Sequence, residues 1–217
     1  MSENAEINKT VIIPDGKANM VGTLVIPEGA KAVVLFAHGS GSSRHSPRNN
    51  YVASVIRKNG LATLLLDLLT PAEDSNYETR FDIDLLAHRL FVATKWLQAQ
   101  PETCTLSIGY FGASTGAAAA IKSAATPSVK IYAIVSRGGR PDLAMPYLDK
   151  ISSPTLLIVG SKDDVVIELN KEAYERLACI KKLEIVQGAT HLFEEQGTLE
   201  RVAELAEDWF VKHLASC

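Results

Sequence analysis

Residues 112–116 read Gly-Ala-Ser-Thr-Gly, a G-x-S-x-G sequence with one candidate nucleophile, Ser114, at its centre. An apolar run at residues 106–111 precedes it, and the alanine-rich residues 117–121 follow it. This order predicts a strand, a sharp turn and a helix, with the serine hydroxyl at the tip of the turn. The flanking glycines allow the strand and the helix to approach each other closely. A serine presented in this way is suited to nucleophilic attack on a carbonyl carbon.

The surrounding segments must place other chemical groups beside this serine. Six apolar blocks, which are typical of parallel strands covered by helices on both faces, occupy residues 32–37, 61–66, 106–111, 131–135, 155–159 and 183–186. Helices are predicted between and after them, at residues 47–59, 82–99, 116–125, 165–178 and 198–214. The alternation predicts an α/β three-layer sandwich with a mostly parallel, doubly wound sheet.

Two shorter runs precede these blocks, at residues 10–13 and 20–26. The turn-forming Pro14-Asp15-Gly16 joins them, so we predict an N-terminal antiparallel hairpin at a sheet edge. The whole chain, residues 1–217, is expected to form a single domain, because its length and its 47% content of hydrophobic residues suit one well-filled core.

Polar residues follow the predicted parallel strands, where a doubly wound sheet binds its ligands. In chain order they are His38, Asp67, Ser114, Arg137, Asp163 and His191. A serine, a carboxylate and a histidine therefore converge on one edge of the sheet. Their order along the chain, Ser114, Asp163 and His191, is the order found in α/β hydrolases.

With these residues the chain resembles the α/β-hydrolase superfamily, in particular the compact branch that includes dienelactone hydrolase. The resemblance extends from about residue 20 onward. It rests on His38-Gly39, the serine turn, Gly160-x-x-Asp163-x-x-Val166 and Gly188-Ala189-Thr190-His191. Dienelactone hydrolase itself has a cysteine where this chain has Ser114, so the resemblance does not identify the substrate. The segment between Arg137 and Ser153 is too short for a large cap, and we expect an open, shallow site.

The resemblance implies a role for each residue of the site. Ser114 would attack the carbonyl carbon, His191 would accept and return the proton, and Asp163 would orient the imidazole. The backbone N–H groups of Thr115 and Ser40 would form the oxyanion hole. Two other acids, Asp164 and Asp142, remain alternatives to Asp163, and the two adjacent aspartates could instead cap the following helix.

Arginines on the same edge have two interpretations. Arg137, Arg44 and Arg48 could bind a carboxylate or phosphate of the substrate, because guanidinium groups bind such anions with paired hydrogen bonds. Equally, they could be solvated surface residues in weak ion pairs.

Composition narrows the class of function. The net charge of -3 argues against nucleic-acid binding. Residues 1–6 are polar and acidic, and no apolar stretch is long enough for a membrane span, so we expect a cytoplasmic protein without a membrane partner. The cysteines at 104, 179 and 217 form no C-x-x-C pair, and neither a metal nor a cofactor is expected.

The sequence therefore predicts a serine hydrolase that cleaves a small carboxylic ester or lactone through an acyl-enzyme, with an anionic substrate as the alternative that the arginines leave open. It is expected to be a monomer or homodimer. Two alternatives stay open at this point. The same residues could serve a thioester or amide hydrolase or an acyltransferase, or the scaffold could bind a ligand without catalysis.

Overall fold

A computed structural model describes residues 6–214. It contains one eight-stranded sheet, whose strands are β1 (Ile7–Asp15), β2 (Ala18–Ile26), β3 (Ala32–Ala37), β4 (Ala62–Leu66), β5 (Ser107–Ala113), β6 (Ala133–Arg137), β7 (Thr155–Gly160) and β8 (Lys181–Val186). Their order across the sheet is β1-β2-β4-β3-β5-β6-β7-β8. Strands β3 to β8 are parallel, and β2 pairs antiparallel with both β1 and β4. The predicted mostly parallel sheet with an N-terminal hairpin is confirmed.

The hairpin turn is tighter than the sequence indicated. Pro14 lies within β1, opposite Asn19, and only Gly16 and Lys17 separate the two strands. Gly16 has a φ of 60°, a left-handed conformation that glycine adopts without steric cost. Strand β1 lies at the sheet edge, where the N–H group that proline lacks is not needed for pairing.

Helices cover both faces of the sheet. They are α1 (Pro47–Lys58), α2 (Pro71–Asp74), α3 (Ile83–Ala99), α4 (Thr115–Ala124), α5 (Asp164–Arg176) and α6 (Thr198–Leu214). Buried residues of α1 and α6 form one core with the sheet, and those of α3, α4 and α5 form another. The sheet with a core on each face is the expected three-layer sandwich.

Among the described residues, three short helical elements were not predicted from the sequence. They are α2 and two 3₁₀ helices, at Glu78–Phe81 and Pro141–Lys150. Such short elements lack the repeated apolar spacing that identifies longer helices in a sequence. The connection between β6 and β7 contains only the second 3₁₀ helix, so within residues 6–214 no large cap is inserted there.

Three further observations concern residues 6–214. None of their helices is long and apolar enough to cross a membrane. They contain no group of three or more histidine, cysteine or acidic side chains that could hold a metal ion. Cys104 and Cys179 are free thiols. Cys217 and residues 1–5, which entered the expectations on cysteines and localisation, lie outside the described residues.

Candidate active site

Ser114 occupies a strained turn between β5 and α4. Its φ of 51° and ψ of -121° are rare for a residue with a side chain. A Cβ atom at Gly112 would lie 2.7 Å from the backbone nitrogen of Ala117, and one at Gly116 would lie 2.6 Å from the carbonyl oxygen of His38. The two glycines are therefore required by close backbone packing. The Ser114 hydroxyl makes no capping hydrogen bond to α4 and is partly exposed.

His191 and Asp163 form a hydrogen-bonded pair. His191 lies in the loop after β8, Asp163 lies between β7 and α5, and the distance from Nδ1 to Oδ2 is 2.7 Å. Because the carboxylate accepts from Nδ1–H, the Nε2 atom of the ring is left to act as a base. Gly138, after β6, packs against the ring: a Cβ atom there would lie 3.4 Å from both Nδ1 and Cε1.

The structure separates Asp163 from the other candidate acids. Asp163 precedes α5, but its side chain makes no capping hydrogen bond. Asp142 accepts two hydrogen bonds of 2.8 Å from Arg140, and Asp164 is an exposed residue in the first turn of α5. Among these three acids in the described chain, Asp163 alone contacts His191.

One cavity of about 240 Å³ contains the groups with catalytic potential. Its lining includes Ser114, His191, Ser46, Arg48, Arg137 and Leu192. No hydrogen bond joins the Ser114 hydroxyl to His191 within residues 6–214; such bonds are often long in enzymes without substrate. A larger cavity, of about 410 Å³, lies between α3, α4 and the second 3₁₀ helix, but Ser114 and His191 do not line it. The smaller cavity is the candidate site because Ser114 and His191 line it.

The loop after β3 is held by a chain of hydrogen bonds. The Ser40 N–H donates to Thr115 Oγ1 at 3.0 Å, and the Gly39 carbonyl accepts from His38 Nδ1–H at 2.9 Å. His38 Nε2 accepts from the Leu68 N–H at 3.2 Å, and burial lowers the pKa of His38. The His38 ring is therefore neutral, and its two nitrogen atoms connect the loop after β3 to Leu68. The Ser40 amide, expected to serve an oxyanion, is already engaged by a hydroxyl, so it would have to share or exchange this bond.

Thr115 contributes a second amide at the start of α4. The first N–H groups of a helix have no acceptor within the helix, and they point toward its positive pole. The Thr115 N–H therefore suits the oxyanion role that the sequence indicated. This assignment stays a prediction.

The three arginines have different environments. Arg44 forms an ion pair with Asp67 through its side chain and a 2.6 Å hydrogen bond through its backbone N–H, and it does not line the Ser114 cavity. The structure therefore does not bring Arg44 to the site. Arg48 lines the cavity and pairs with Glu194 at 2.9 Å.

Arg137, the last residue of β6, is only 7% exposed, yet no carboxylate pairs with it within residues 6–214. Within residues 6–214 its Nε atom has no hydrogen-bond partner, and its Nη2 atom donates a 3.5 Å hydrogen bond to the Asn49 side-chain oxygen. Burial, with repulsion from Arg48, lowers its pKa to about 10. The guanidinium carbon lies 5.8 Å from the centre of the Phe193 ring. This is an uncompensated positive charge beside the candidate nucleophile.

Sequence reasoning did not assign Ser46 and Leu192, which line the cavity, or Phe193, whose ring lies near the Arg137 guanidinium. Ser46 caps α1 and Pro47 begins it, a combination that marks a helix start and could have placed this helix terminus at the site. Phe193 is buried with a φ of 55°, although no local residue type predicts a left-handed phenylalanine. Leu192 lines the cavity because it follows His191 in the same loop.

Two proteins of Mycobacterium tuberculosis, from strains CDC 1551 and H37Rv, are 56% identical to this chain over 207 residues. Their names contain the words phosphoribosyl transferase. The match covers 95% of this chain but 47% of each relative, so the chain spans about half the length of these curated relatives.

Solved structures resemble nearly the whole chain. A dienelactone hydrolase from Anabaena variabilis is 52% identical, with a TM-score of 0.94 over 96% of this chain and 99% of that one. Est1E from Butyrivibrio proteoclasticus shares the fold, with a TM-score of 0.81 at 15% identity over 95% of this chain and 99% of its own. Residues 20–214 match the family model of the dienelactone hydrolase family. The chain therefore belongs to the dienelactone hydrolase family, a family of hydrolases with the α/β fold described above.

Proposed function

We propose that this protein is a serine hydrolase that cleaves a small carboxylic ester or lactone through an acyl-enzyme. One observation carries the proposal. His191, which is hydrogen-bonded to Asp163 at 2.7 Å, lines the same cavity as Ser114, whose strained backbone presents its hydroxyl at the carboxyl edge of the sheet. A nucleophile, a base and an orienting acid are the groups that acyl transfer requires.

The reaction proceeds in two steps. Ser114 Oγ attacks the carbonyl carbon while His191 Nε2 accepts the hydroxyl proton, and Asp163 stabilises the imidazolium. The Thr115 amide, with the Ser40 amide released or shared by its threonine partner, stabilises the oxyanion. His191 then gives the proton to the departing alkoxide. In the second step His191 activates a water molecule, which releases the acid and restores Ser114.

The size of the cavity limits the substrate. A volume of about 240 Å³ with no large cap over the sheet edge accommodates a small molecule. The transferase name of the Mycobacterium tuberculosis relatives belongs to proteins about twice as long, and the groups around Ser114 are those of acyl transfer. We therefore do not extend that name to this chain.

The test compares Ser114→Ala with Ser54→Ala, a serine on α1 whose hydroxyl bonds to the Tyr51 carbonyl. Ser114→Ala should reduce hydrolysis of p-nitrophenyl acetate by about 10⁴-fold or more, with an unchanged circular dichroism spectrum, and Ser54→Ala should keep full activity. A fluorophosphonate should label Ser114 once. Retained activity, or labelling of another residue, contradicts the proposal. Faster turnover of thioesters or amides than of esters would move the assignment to the alternative substrate class.

A folded protein with no turnover on esters, lactones, thioesters or amides would instead support the ligand-binding alternative. The expectation of a monomer or homodimer is tested separately, by light scattering of the same preparation.

A further inference from the structure

The wall of the Ser114 cavity contains a buried positive charge that has no counterion in the part of the chain that the structure describes. Arg137 is 7% exposed, and within residues 6–214 its Nε atom lacks a partner and no acidic group contributes to its lowered pKa. Burying an unpaired charge is costly, and proteins rarely retain one without a role. The guanidinium borders the cavity, where a ligand could supply the missing anion.

The amino terminus of α1 meets this charge. The Arg137 side chain reaches Asn49 in the first turn, at 3.5 Å, and Ser46 at the cap lines the same cavity. Pro47 has no N–H. The Asn49 N–H donates to Ser46 Oγ at 3.3 Å, and the Asn50 N–H donates to the Ser46 carbonyl at 2.9 Å. This leaves the Arg48 amide as the uncommitted donor of the first turn, at the positive pole of a 12-residue helix.

We propose that Arg137, Arg48 and the amino terminus of α1 form a binding site for a phosphate group, so that the natural substrate is a phosphorylated small ester or lactone. The part of this inference that concerns hydrolysis depends on the proposed function. The part that concerns phosphate binding does not.

The positive charge of the proposed site and the directions of its hydrogen-bond donors favour a phosphate ligand over a carboxylate. Arg137 contributes a full positive charge, and the helix terminus adds a partial one. Arg48 adds a second guanidinium, because its partner Glu194 is 63% exposed and such surface pairs are weak. The donors approach from a strand end and from a helix end. A tetrahedral phosphate, with a charge of about -1.5 to -2, can accept hydrogen bonds from both directions, whereas a carboxylate is planar and carries one charge.

The experiment measures binding of inorganic phosphate and of acetate by calorimetry at pH 7.5. The variant is Arg137→Gln, and the matched control is Arg140→Gln, which removes a guanidinium already paired with Asp142. Phosphate should bind the wild-type protein and inhibit ester hydrolysis competitively. Arg137→Gln should weaken phosphate binding by about 10- to 100-fold, as expected for the loss of a charged hydrogen-bond donor, and Arg140→Gln should leave it unchanged. Arg137→Lys, which keeps the charge, should lie between them and serves if the glutamine variant does not fold.

Each alternative outcome has a defined meaning. Equal affinity for acetate and phosphate overturns the phosphate assignment, and so does equal phosphate affinity in the wild type and Arg137→Gln. Ser114→Ala should still bind phosphate. Ester hydrolysis without phosphate binding refutes this inference and leaves the proposed function intact. Phosphate binding without hydrolysis of any ester supports the phosphate site but refutes the proposed function, and with it the phosphorylated ester or lactone as substrate.

Discussion

Replacing Arg137 with methionine should stabilise the folded protein. Burial and the neighbouring Arg48 lower the pKa of the guanidinium from its ordinary value to about 10. At neutral pH the group is charged in both the folded and the unfolded state, so the lowered pKa corresponds to a destabilisation of the fold by roughly 3 kcal/mol. Methionine retains most of the apolar stem and removes the charge.

Two losses reduce this gain. The contact with the Phe193 ring contributes about 1 kcal/mol, and leaving the Asn49 oxygen without its 3.5 Å partner costs at most about 1 kcal/mol. The expected net gain is therefore about 1 to 2 kcal/mol. For a chain of 217 residues this raises the Tm by about 2 to 8 °C.

The assay is thermal and urea unfolding in buffer free of phosphate and sulfate, because a bound anion would stabilise the wild type alone. Arg140→Met is the control, since its guanidinium is half-exposed and paired with Asp142, and it should show no gain. A Tm for Arg137→Met that falls below that of the wild type would show that the guanidinium supports the fold, and the reasoning about an unpaired charge would be refuted.

Three further predictions concern the site and its supports. Asp163→Asn should lower kcat for ester hydrolysis by about 10⁴-fold with the Tm nearly unchanged, because the imidazole loses its orienting acceptor; activity near the wild-type level would exclude Asp163 as the acid. Gly112→Ala should lower the free energy of unfolding in urea by about 3 kcal/mol or more, because the added Cβ would lie 2.7 Å from backbone atoms. Gly109→Ala should lower it less, because the added Cβ would meet only the ends of side chains, at 3.0 Å. Equal losses in the two variants would contradict the argument from backbone packing. Stability should fall as the pH drops below 6.5, because His38 is then protonated in the unfolded state while burial keeps the ring neutral in the folded state. The urea midpoint of His38→Gln should therefore decline less between pH 7.5 and 5.5 than that of the wild type. An equal decline in both proteins would show that His38 is not the origin.

The fold and the positions of the main polar groups could be predicted because both follow from general rules. Parallel strands are apolar on both faces, and their carboxyl ends share one edge of the sheet. Once the strands ending near Ser114, Asp163 and His191 were identified, the three side chains had to emerge on that edge. The contact between Asp163 and His191, and the side chain of Asp142 directed to Arg140, required the actual loop conformations.

Backbone donors could not be predicted from residue types. The sequence places Ser40 after a His-Gly pair and Thr115 after the serine, but it does not show where an N–H points. In the structure the Thr115 hydroxyl accepts the Ser40 N–H at 3.0 Å. A β-branched hydroxyl after the nucleophile therefore holds the loop that the oxyanion would need.

The arginines show why the sequence alone does not predict which charged side chains form ion pairs. Three arginines near this edge have carboxylate partners: Arg44 pairs with Asp67, Arg48 with Glu194 and Arg140 with Asp142. Arg137 has none within the part of the chain that the structure describes, although the net charge of -3 provides acidic residues in excess. The pairing is decided by the loops, which carry Arg44 and Arg140 to nearby acids, whereas Arg137 is fixed at the end of β6 between neighbouring strands. The sheet holds Arg137 in place, and the described part of the protein provides no acid to neutralise it. A bound anionic ligand explains this charge better than a role in the fold does.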